Sequence, residues 1–289
     1  MKKLFTFFVS SLSIVAASAQ DTNTSPWKGD GNTGINMTQV SLSNWAAGGE
    51  NSIAFDIHFN YSLDFKKDKQ IWQNRLELGY GLNNTKSNGT RKTNDKIYLS
   101  SNYGYQIAKN WYASLMLTFQ TQFDKGYDYK VNDEVPISKF MAPGYLTIGP
   151  GFTWTPEEWF KLSISPTTWR ATFVLDDALS DAGSYGVDPG KKLLSQFGGN
   201  VTAEFKKEIM QNMTLYSRLN LFSDYLDKPL NIVVNWDNTL NMKINKWFSA
   251  NLAFNMIYDD KVKITDKKGN TGPRLQVKET LGVGLQMSF

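Results

Sequence analysis

Strict alternation of apolar and polar residues is the feature that most constrains this chain. From Ile53 to Phe65 every second residue is apolar, and the residues between them are small or polar. Because successive side chains of a strand point to opposite faces, this pattern predicts a long strand with one apolar and one polar face. The last residues alternate in the same way and end on Phe289. The pattern predicts an all-β protein.

Twelve segments follow this pattern, some of them less regularly. Pro150 and Pro166 lie inside two of these segments. Because proline cannot donate a hydrogen bond to a neighbouring strand, we expect bulges or strand ends there. The predicted strands lie near residues 33–43, 53–65, 71–83, 96–107, 111–123, 144–154, 159–175, 196–206, 212–223, 230–244, 247–259 and 273–289.

The connections between these segments alternate between short and long. Short turns at one end and long loops at the other are typical of outer-membrane barrels. Predicted short turns are 66–70, 108–110, 155–158, 207–211 and 245–246, and predicted long loops are 84–95, 124–143, 176–195, 223–229 and 260–272. Strands leaving four short turns begin with Trp72, Trp111, Trp159 and Trp247, which predicts an aromatic belt at a membrane interface.

The N-terminal residues predict export. Residues 1–19 combine two lysines, a short apolar stretch and a small-residue cleavage site, as a signal peptide does. We expect residues 20–32 to be a periplasmic segment and residues 33–289 to form the barrel. No later segment has eighteen consecutive apolar residues, and cysteine is absent. A helical membrane protein and a disulfide-held secreted domain are therefore excluded.

Together these features predict a transmembrane antiparallel up-and-down β-barrel of about twelve strands, with short periplasmic turns and long extracellular loops. In lipid every backbone group must be paired, so such a sheet has to close on itself. The alternative is a soluble β-sandwich, in which the apolar faces of two sheets meet. A sandwich gives no reason for tryptophans to collect at one end of the hairpins. We therefore expect the barrel to lie in the outer membrane, in contact with its lipids.

Three stretches carry a resemblance to a known family. They are SNWAAGGENS (43–52), YLTIGPGFTW (145–154) and SISPTTWRATFV (163–174). These motifs resemble an exported outer-membrane barrel family of Gram-negative bacteria whose function is unknown. The resemblance implies the barrel fold and no activity. The terminal Phe289 is similar to the signal that the barrel-assembly machinery reads in such proteins, so that machinery is an expected partner.

The first motif has two interpretations. In one, Asn44, Trp45, Gly48, Gly49, Glu50 and Asn51 form a loop or inward latch that contacts a ligand or an envelope protein. In the other, which we favour, the glycines supply the positive φ of a hairpin connection and the tryptophan anchors at the interface.

Charged residues on the polar faces are the candidate lumen residues. In a channel, such groups set selectivity. In a closed barrel the same groups would be paired, because buried charges must be. The candidates are Asp56, His58, Arg75, Glu77, Glu204, Arg218, Asp237 and Lys278, with Asp64 also on this face.

The first functional hypothesis is a passive channel for small hydrophilic solutes, and the second is a plugged accessory barrel that binds another envelope protein. A barrel-embedded lipid hydrolase using His58 is a minor third, because no serine is marked by a motif and the histidine faces inward. We expect no catalytic activity and no cofactor. We expect no metal site either, because Asn94-Asp95 and Asp259-Asp260 lack the spacing of a calcium-binding loop. Without Lys2 and Lys3 the formal charge falls from +4 to +2, too small to indicate a nucleic-acid partner.

Overall fold

Twelve strands form a closed antiparallel barrel in the computed structural model, which describes residues 25–43, 49–129, 131, 133–265 and 270–289. The predicted fold class is confirmed. Each strand pairs with its neighbours in the sequence, and the last strand pairs with the first. The strands are β1 (Trp27–Val40), β2 (Ser52–Lys67), β3 (Gln70–Thr85), β4 (Gly89–Ala108), β5 (Trp111–Thr121), β6 (Gly144–Glu157), β7 (Phe160–Phe173), β8 (Leu193–Met210), β9 (Met213–Asp224), β10 (Ile232–Lys243), β11 (Phe248–Tyr258) and β12 (Gln276–Ser288).

The first strand begins earlier than the sequence predicts. Residues 27–32, assigned to a periplasmic segment, pair with β2, from Trp27 opposite Phe65 to Asn32 opposite Asn60. Glycine and charged residues interrupt the apolar alternation in this stretch, so the pattern missed it. The Trp27 and Phe65 rings lie 5.0 Å apart and fix the start of the strand. The predicted signal peptide, 1–19, lies outside the described residues.

Short turns join the strands at the end of the barrel where both β1 begins and β12 ends. The opposite end carries the longer connections, with one correction. Residues 84–95 are not a long loop, because β3 continues to Thr85 and β4 begins at Gly89. This hairpin is polar on both faces near its tip, so no apolar parity marked it as strand. Its register shifts next to Gly81.

Both prolines lie at irregularities of the sheet, as predicted. The β6–β7 ladder shifts register between Ile148 and Phe152, around Pro150. The β7–β8 ladder shifts between Gly198 and Asn200, opposite Pro166. A bulge leaves one residue unpaired, so no hydrogen bond of the ladder depends on the N–H group that proline lacks.

The barrel is apolar outside and polar inside. Outward residues such as Leu115, Leu252 and Leu285 are exposed, whereas Arg218, Thr153 and other polar residues are buried. A soluble protein buries its apolar side chains, because their transfer out of water drives folding. The exterior of this barrel therefore suits hydrocarbon rather than water. No helix in the described part of the chain is long and apolar enough to cross a membrane.

Indole N–H groups on the outer face donate to serine hydroxyl groups of neighbouring strands. The indole N–H of Trp72 donates to Ser101 Oγ at 2.8 Å, and that of Trp169 donates to Ser195 Oγ at 2.7 Å. Trp236 donates to a serine in the same way. An unpaired donor facing lipid would cost free energy, so these serine partners make the outer surface compatible with a bilayer.

The connections at the loop end fold over the barrel. Residues 174–192 contain a short helix, α1 (Asp177–Asp181), whose N-cap Asp176 Oδ1 accepts from Leu179 N at 3.1 Å. Lys139, on the preceding loop, forms an ion pair with Asp176. An apolar cluster holds these two loops together, and we call it the lid cluster: Ala142, Val174, Leu179 and Val187, with Tyr185 and Leu194 packed against them.

Candidate functional site

Ion pairs bridge opposite walls of the barrel at mid-height. Arg218 on β9 donates from Nη1 to Glu77 Oε1 on β3 at 2.9 Å, and from Nη2 to Asp237 Oδ2 on β10 at 2.6 Å. Strands β3 and β9 are not neighbours in the sheet, so the first contact crosses the lumen. Arg218 is nearly fully buried, with 6% of its side chain exposed. The guanidinium therefore ties two walls together.

Lys96 on β4 extends this connection. Its Nζ donates to Glu77 Oε2 at 2.7 Å and lies 3.6 Å from Asp237 Oδ2. Each of the two carboxylates thus faces both Lys96 and Arg218. Because a buried charge is stable only when it is paired, the four side chains hold one another in place.

A second group of charges lies beside the first. Lys161 Nζ on β7 is 2.9 Å from Glu204 Oε1 on β8, and Arg75 Nη1 on β3 is 4.0 Å from carboxylate oxygens of both Glu204 and Glu77. The seven residues form one connected set with four cationic and three anionic side chains. We call it the charge cluster: Arg75, Glu77, Lys96, Lys161, Glu204, Arg218 and Asp237.

Two tyrosines pack against the cationic groups of the charge cluster. The Arg218 guanidinium carbon lies 3.9 Å from the centroid of the Tyr98 ring, and that of Arg75 lies 4.5 Å from the Tyr216 ring. A cation over an aromatic face is attracted by about 1–2 kcal/mol when water is excluded. The rings also fill space between the charged groups, so the layer across the lumen is made of packed side chains.

One side of this layer is a cavity of about 420 Å³, which we call the large cavity. The lining residues that the structure describes all belong to barrel strands. Asp56, His58 and Lys278 line it, and Asn94 joins two of them. Asn94 Nδ2 donates to Asp56 Oδ2 at 2.9 Å, while Lys278 Nζ donates to Asn94 Oδ1 at 2.8 Å. The lining is polar, as a path for hydrophilic solutes requires.

His58 is packed against a glycine of the neighbouring strand. A Cβ atom at Gly34 would lie 2.6 Å from His58 Cε1, so the glycine leaves room for the imidazole. In the described residues His58 makes no hydrogen bond to a serine hydroxyl, so no nucleophile and base pair is seen there. The same residues include no group of three His, Asp or Glu side chains that could hold a metal ion.

On the other side of the charge cluster lies a smaller cavity of about 170 Å³, the loop-side cavity. Arg170 lines it and pairs with Asp259, Nη2 to Oδ2, at 3.0 Å. Tyr185 of the lid cluster also lines it and donates to Ile137 O at 2.6 Å. Burial raises the pKa of Tyr185 to about 12, so this hydroxyl stays protonated at any ordinary pH. The lid cluster therefore forms part of this cavity's wall.

All eight predicted lumen residues lie inside the barrel, and five of them belong to the charge cluster. Sequence reasoning missed Lys96, Lys161, Tyr98 and Tyr216. Their positions in the alternation could have identified them as inward residues. Tyr98 is opposite Glu77, and Lys161 is opposite Glu204. Which residues meet across the lumen depends on barrel stagger and could not be derived from parity.

The motif at 44–51 is described only in part, because Asn44, Trp45 and Gly48 lie outside the described residues. Gly49 has a φ of 108°, a conformation that glycine favours. Glu50 accepts hydrogen bonds from Ser87 N at 2.9 Å and Ser87 Oγ at 2.8 Å, which connects this loop to the tip of the β3–β4 hairpin. Those two bonds hold the pKa of Glu50 below its usual value. Asn51 Oδ1 accepts from Leu42 N at 2.7 Å.

The predicted anchors lie at the short-turn end of the barrel. Trp111 is the first residue of β5 and Trp72 is near the start of β3, while Trp159 and Trp247 lie in the turns before β7 and β11. Trp27 adds a further indole, 5.7 Å from the Trp72 ring. These five tryptophans therefore gather at one rim, where an interface belt is expected, whereas Trp169 and Trp236 lie nearer the loop end of their strands.

Residues 37–127 match the sequence model of a family described as Protein of unknown function (DUF3078). The match includes the first of the three motifs and ends before the other two. None of the curated proteins matches the sequence.

Several solved barrels are similar in fold. The COG4313 outer membrane channel from Pseudomonas putida F1 is 9% identical over 91% of this chain and 95% of that chain, with a TM-score of 0.39. The NanC porin is 10% identical over 89% of this chain and 98% of that one, with a TM-score of 0.39. The translocator domain of the autotransporter NalP from Neisseria meningitidis is 9% identical over 100% and 97%, with a TM-score of 0.36. At such low identity the likeness concerns the fold alone.

Proposed function

We propose that this protein is a non-enzymatic channel of the outer membrane for small hydrophilic solutes, with the charge cluster as its constriction. The observation that carries the proposal is that the barrier across the lumen is made of side chains. The charge cluster consists of side chains on the barrel strands, and the described residues that line the large cavity all belong to strands. Side chains reorient far faster than a folded plug can leave a barrel, so such a barrier is compatible with passage.

The outer surface supports the membrane location. Leucine, valine and aromatic side chains cover the exterior, five tryptophans lie at the short-turn rim, and the indole N–H groups of Trp72, Trp169 and Trp236 donate to serine. These are the properties of a barrel wall in lipid. The interior supports a hydrophilic solute, because amides, hydroxyls and paired charges line both cavities. Outer-membrane lipids and the barrel-assembly machinery are the partners that this proposal requires.

The second candidate is a closed accessory barrel that binds another envelope protein. One observation favours it, namely that Arg218 is almost entirely buried between Glu77 and Asp237. Opening the lumen at this point breaks those contacts, and breaking a buried ion pair costs about 3–5 kcal/mol. A cost of that size would leave an unassisted barrel closed for most of the time.

Planar-bilayer conductance of the purified wild-type protein separates the two candidates. A channel gives discrete current steps, and a closed barrel gives none. Glu77→Ala combined with Arg218→Ala removes both ends of the contact that crosses the lumen and leaves Lys96 and Asp237, 3.6 Å apart, to pair with each other. In a channel we expect this double variant to conduct several-fold more than the wild type.

The matched control removes an ion pair outside the lumen. Lys192 and Asp177 are 2.7 Å apart on the exposed loop 174–192, and replacing both by alanine is expected to leave conductance unchanged. A silent wild type with a conducting double variant would favour the closed accessory barrel. If wild type and double variant are both silent while folded in lipid, the channel proposal is wrong.

A further inference from the structure

The seam between the first and last strands is joined over only part of its length. The β1–β12 ladder runs from Asn32–Asn36 to Gly284–Ser288, at the short-turn end. Towards the loop end, residues 37–40 of β1 remain paired with β2, and residues 276–283 of β12 remain paired with β11. The ladder does not join these two stretches to each other. Within the part of the chain that the structure describes, each stretch therefore presents a free strand edge.

Free strand edges are costly inside a bilayer. A backbone N–H or C=O without a partner costs several kcal/mol in hydrocarbon, and irregular backbone is tolerated there only beside a water-filled cavity. The large cavity reaches this part of the seam, since Asn36, Thr280 and Gly282 line it. This gap in the ladder, which we call the opening, therefore lies between the lumen and the surrounding bilayer.

The two faces of this opening differ in chemistry. On the outside, Met37 and Leu281 flank it with 50% and 70% of their surface exposed. Val277 lies on the same face of β12, and Glu279 lies between Val277 and Leu281. On the inside is Lys278, which donates to Asn94 Oδ1. In the described part of the chain, Lys96 has carboxylates within 4.0 Å, whereas Lys278 has none. An entrance flanked by Met37 and Leu281, with Glu279 on its loop side, thus leads to an ammonium group that is connected to the carboxylate of Asp56 only through Asn94 among the described residues.

We propose that this opening is a lateral portal that admits a single-chain anionic amphiphile from the bilayer. Its acidic head group would bind Lys278 and Asn94 in the large cavity, and its hydrocarbon chain would lie between Met37 and Leu281. The free edge of β1 spans four residues, roughly 13 Å at about 3.3 Å per residue, which suits one extended chain. The proposal adds a substrate route to the channel function and does not require conduction along the barrel axis.

Disulfide trapping tests whether the seam is open, and the absence of cysteine from the chain makes the experiment clean. If the register of Thr33 opposite Met287 continued, Gln39 would face Leu281. We expect the Thr33→Cys, Met287→Cys pair to cross-link readily in membranes under a mild oxidant. The Gln39→Cys, Leu281→Cys pair should cross-link at least about fivefold less, because a disulfide needs Cα atoms within about 7 Å. Equal cross-linking of both pairs would overturn the portal.

Photo-labelling tests the ligand. The probe is palmitate carrying a diazirine next to its carboxylate, added to vesicles that contain the protein, with labelled sites mapped by mass spectrometry. We expect labels on inward residues at the seam, such as Asn36 and Thr280, and a several-fold loss of these labels in Lys278→Gln. Lys243→Gln, at the short-turn end of β10, serves as the control and should leave labelling unchanged.

Two results would contradict the binding of an anionic amphiphile at the opening. One is labelling confined to outward residues such as Met37 and Leu281, with no change in Lys278→Gln. The other is cross-linking of the single variant Leu281→Cys to another polypeptide in the native membrane, which would mean that a partner strand occupies the free edge.

Discussion

The ring of Phe289 stacks on the ring of Tyr61, with centroids 6.3 Å apart and planes 18° from parallel. Phe289 follows β12 and Tyr61 lies on β2, so the contact passes over β1. Gly31 of β1 makes this possible, because a Cβ atom there would lie 2.5 Å from the Phe289 ring. Gly31 and Phe289 also exchange backbone hydrogen bonds of 2.8 and 2.9 Å. The terminal residue thus fastens the closed part of the seam.

Removing either side of this contact should weaken barrel closure. Phe289→Ala loses the stacking on Tyr61 and the contact with Phe59, 6.1 Å away, and aromatic pairs contribute about 0.5–1.5 kcal/mol each. Gly31→Val places a side chain where the Phe289 ring lies and should be more damaging. Both variants should assemble poorly and unfold at lower urea concentration in lipid vesicles.

Met287→Ala is the matched control for the seam. Met287 lies on the same face of β12 and is similarly exposed, at 44% against 46% for Phe289, but makes no aromatic stacking contact. Equal losses in Met287→Ala and Phe289→Ala would show that general apolar area, and not the stacking, stabilises the seam. The role of Phe289 as a signal for the assembly machinery stays a prediction, which assembly assays of the same variants can address.

Neutralising Glu77 should destabilise the barrel strongly. Glu77→Gln leaves Arg218 and Lys96 with one fewer counter-charge in a buried layer, and loss of one partner of a buried pair costs about 3–5 kcal/mol. Reversible urea unfolding in vesicles measures the change. Asp64→Asn is the control, because Asp64 is an inward carboxylate on β2 with no ion pair within 4.0 Å in the described residues. A Glu77→Gln variant as stable as Asp64→Asn would mean that water screens the charge cluster.

The hydrogen bonds that Ser87 donates to Glu50 should depend on pH. The pKa of Glu50 is lowered from its ordinary 4.5 by the hydrogen bonds from Ser87, so the folded state favours the carboxylate. A lowered pKa contributes stability above the ordinary pKa, and the contribution is lost as pH falls through the folded value. The Ser87 amide should therefore be protected from hydrogen exchange at neutral pH and lose protection below pH 4.5.

Glu50→Gln provides the comparison for this titration. Its neutral side chain can still accept one hydrogen bond from Ser87 but cannot titrate, so protection should be weaker and independent of pH. A wild-type Ser87 amide whose protection does not change between neutral pH and pH 3, beyond the intrinsic exchange rate, would contradict the assignment.

The fold was predictable because a membrane barrel repeats one pattern in every strand. Alternation identified all twelve strands, and the proline positions marked the bulges around Pro150 and opposite Pro166. The alternation did not predict the strand residues near the two ends of the barrel. In residues 27–32 only Trp27 is apolar, and the tip of the β3–β4 hairpin carries glycine, asparagine and charge, so no apolar alternation distinguishes these strand residues from a loop.

The site was predictable only one strand at a time. Parity placed Glu77, Arg218 and Asp237 inside the barrel, but their contact depends on the stagger of strands far apart in the sequence. The partial seam could not be predicted for the same reason. Apart from Glu279 on its outward face, β12 keeps its alternation through residues 276–283, which pair with only one neighbouring strand. Tertiary register, not local pattern, decides both features.

Loosening the lid cluster should expose the loop-side cavity. Leu179 is buried in this cluster, and Leu179→Ser removes apolar packing at a cost of about 2–3 kcal/mol. Thr147→Cys places a reporter in the loop-side cavity. A membrane-impermeant maleimide added from the loop side should react with this thiol about tenfold faster when Leu179→Ser is also present. Leu226→Ser, on an exposed loop residue outside the lid cluster, should leave the rate unchanged. If both serine variants raise the rate equally, or neither does while the barrel stays folded, the lid cluster does not control access to this cavity.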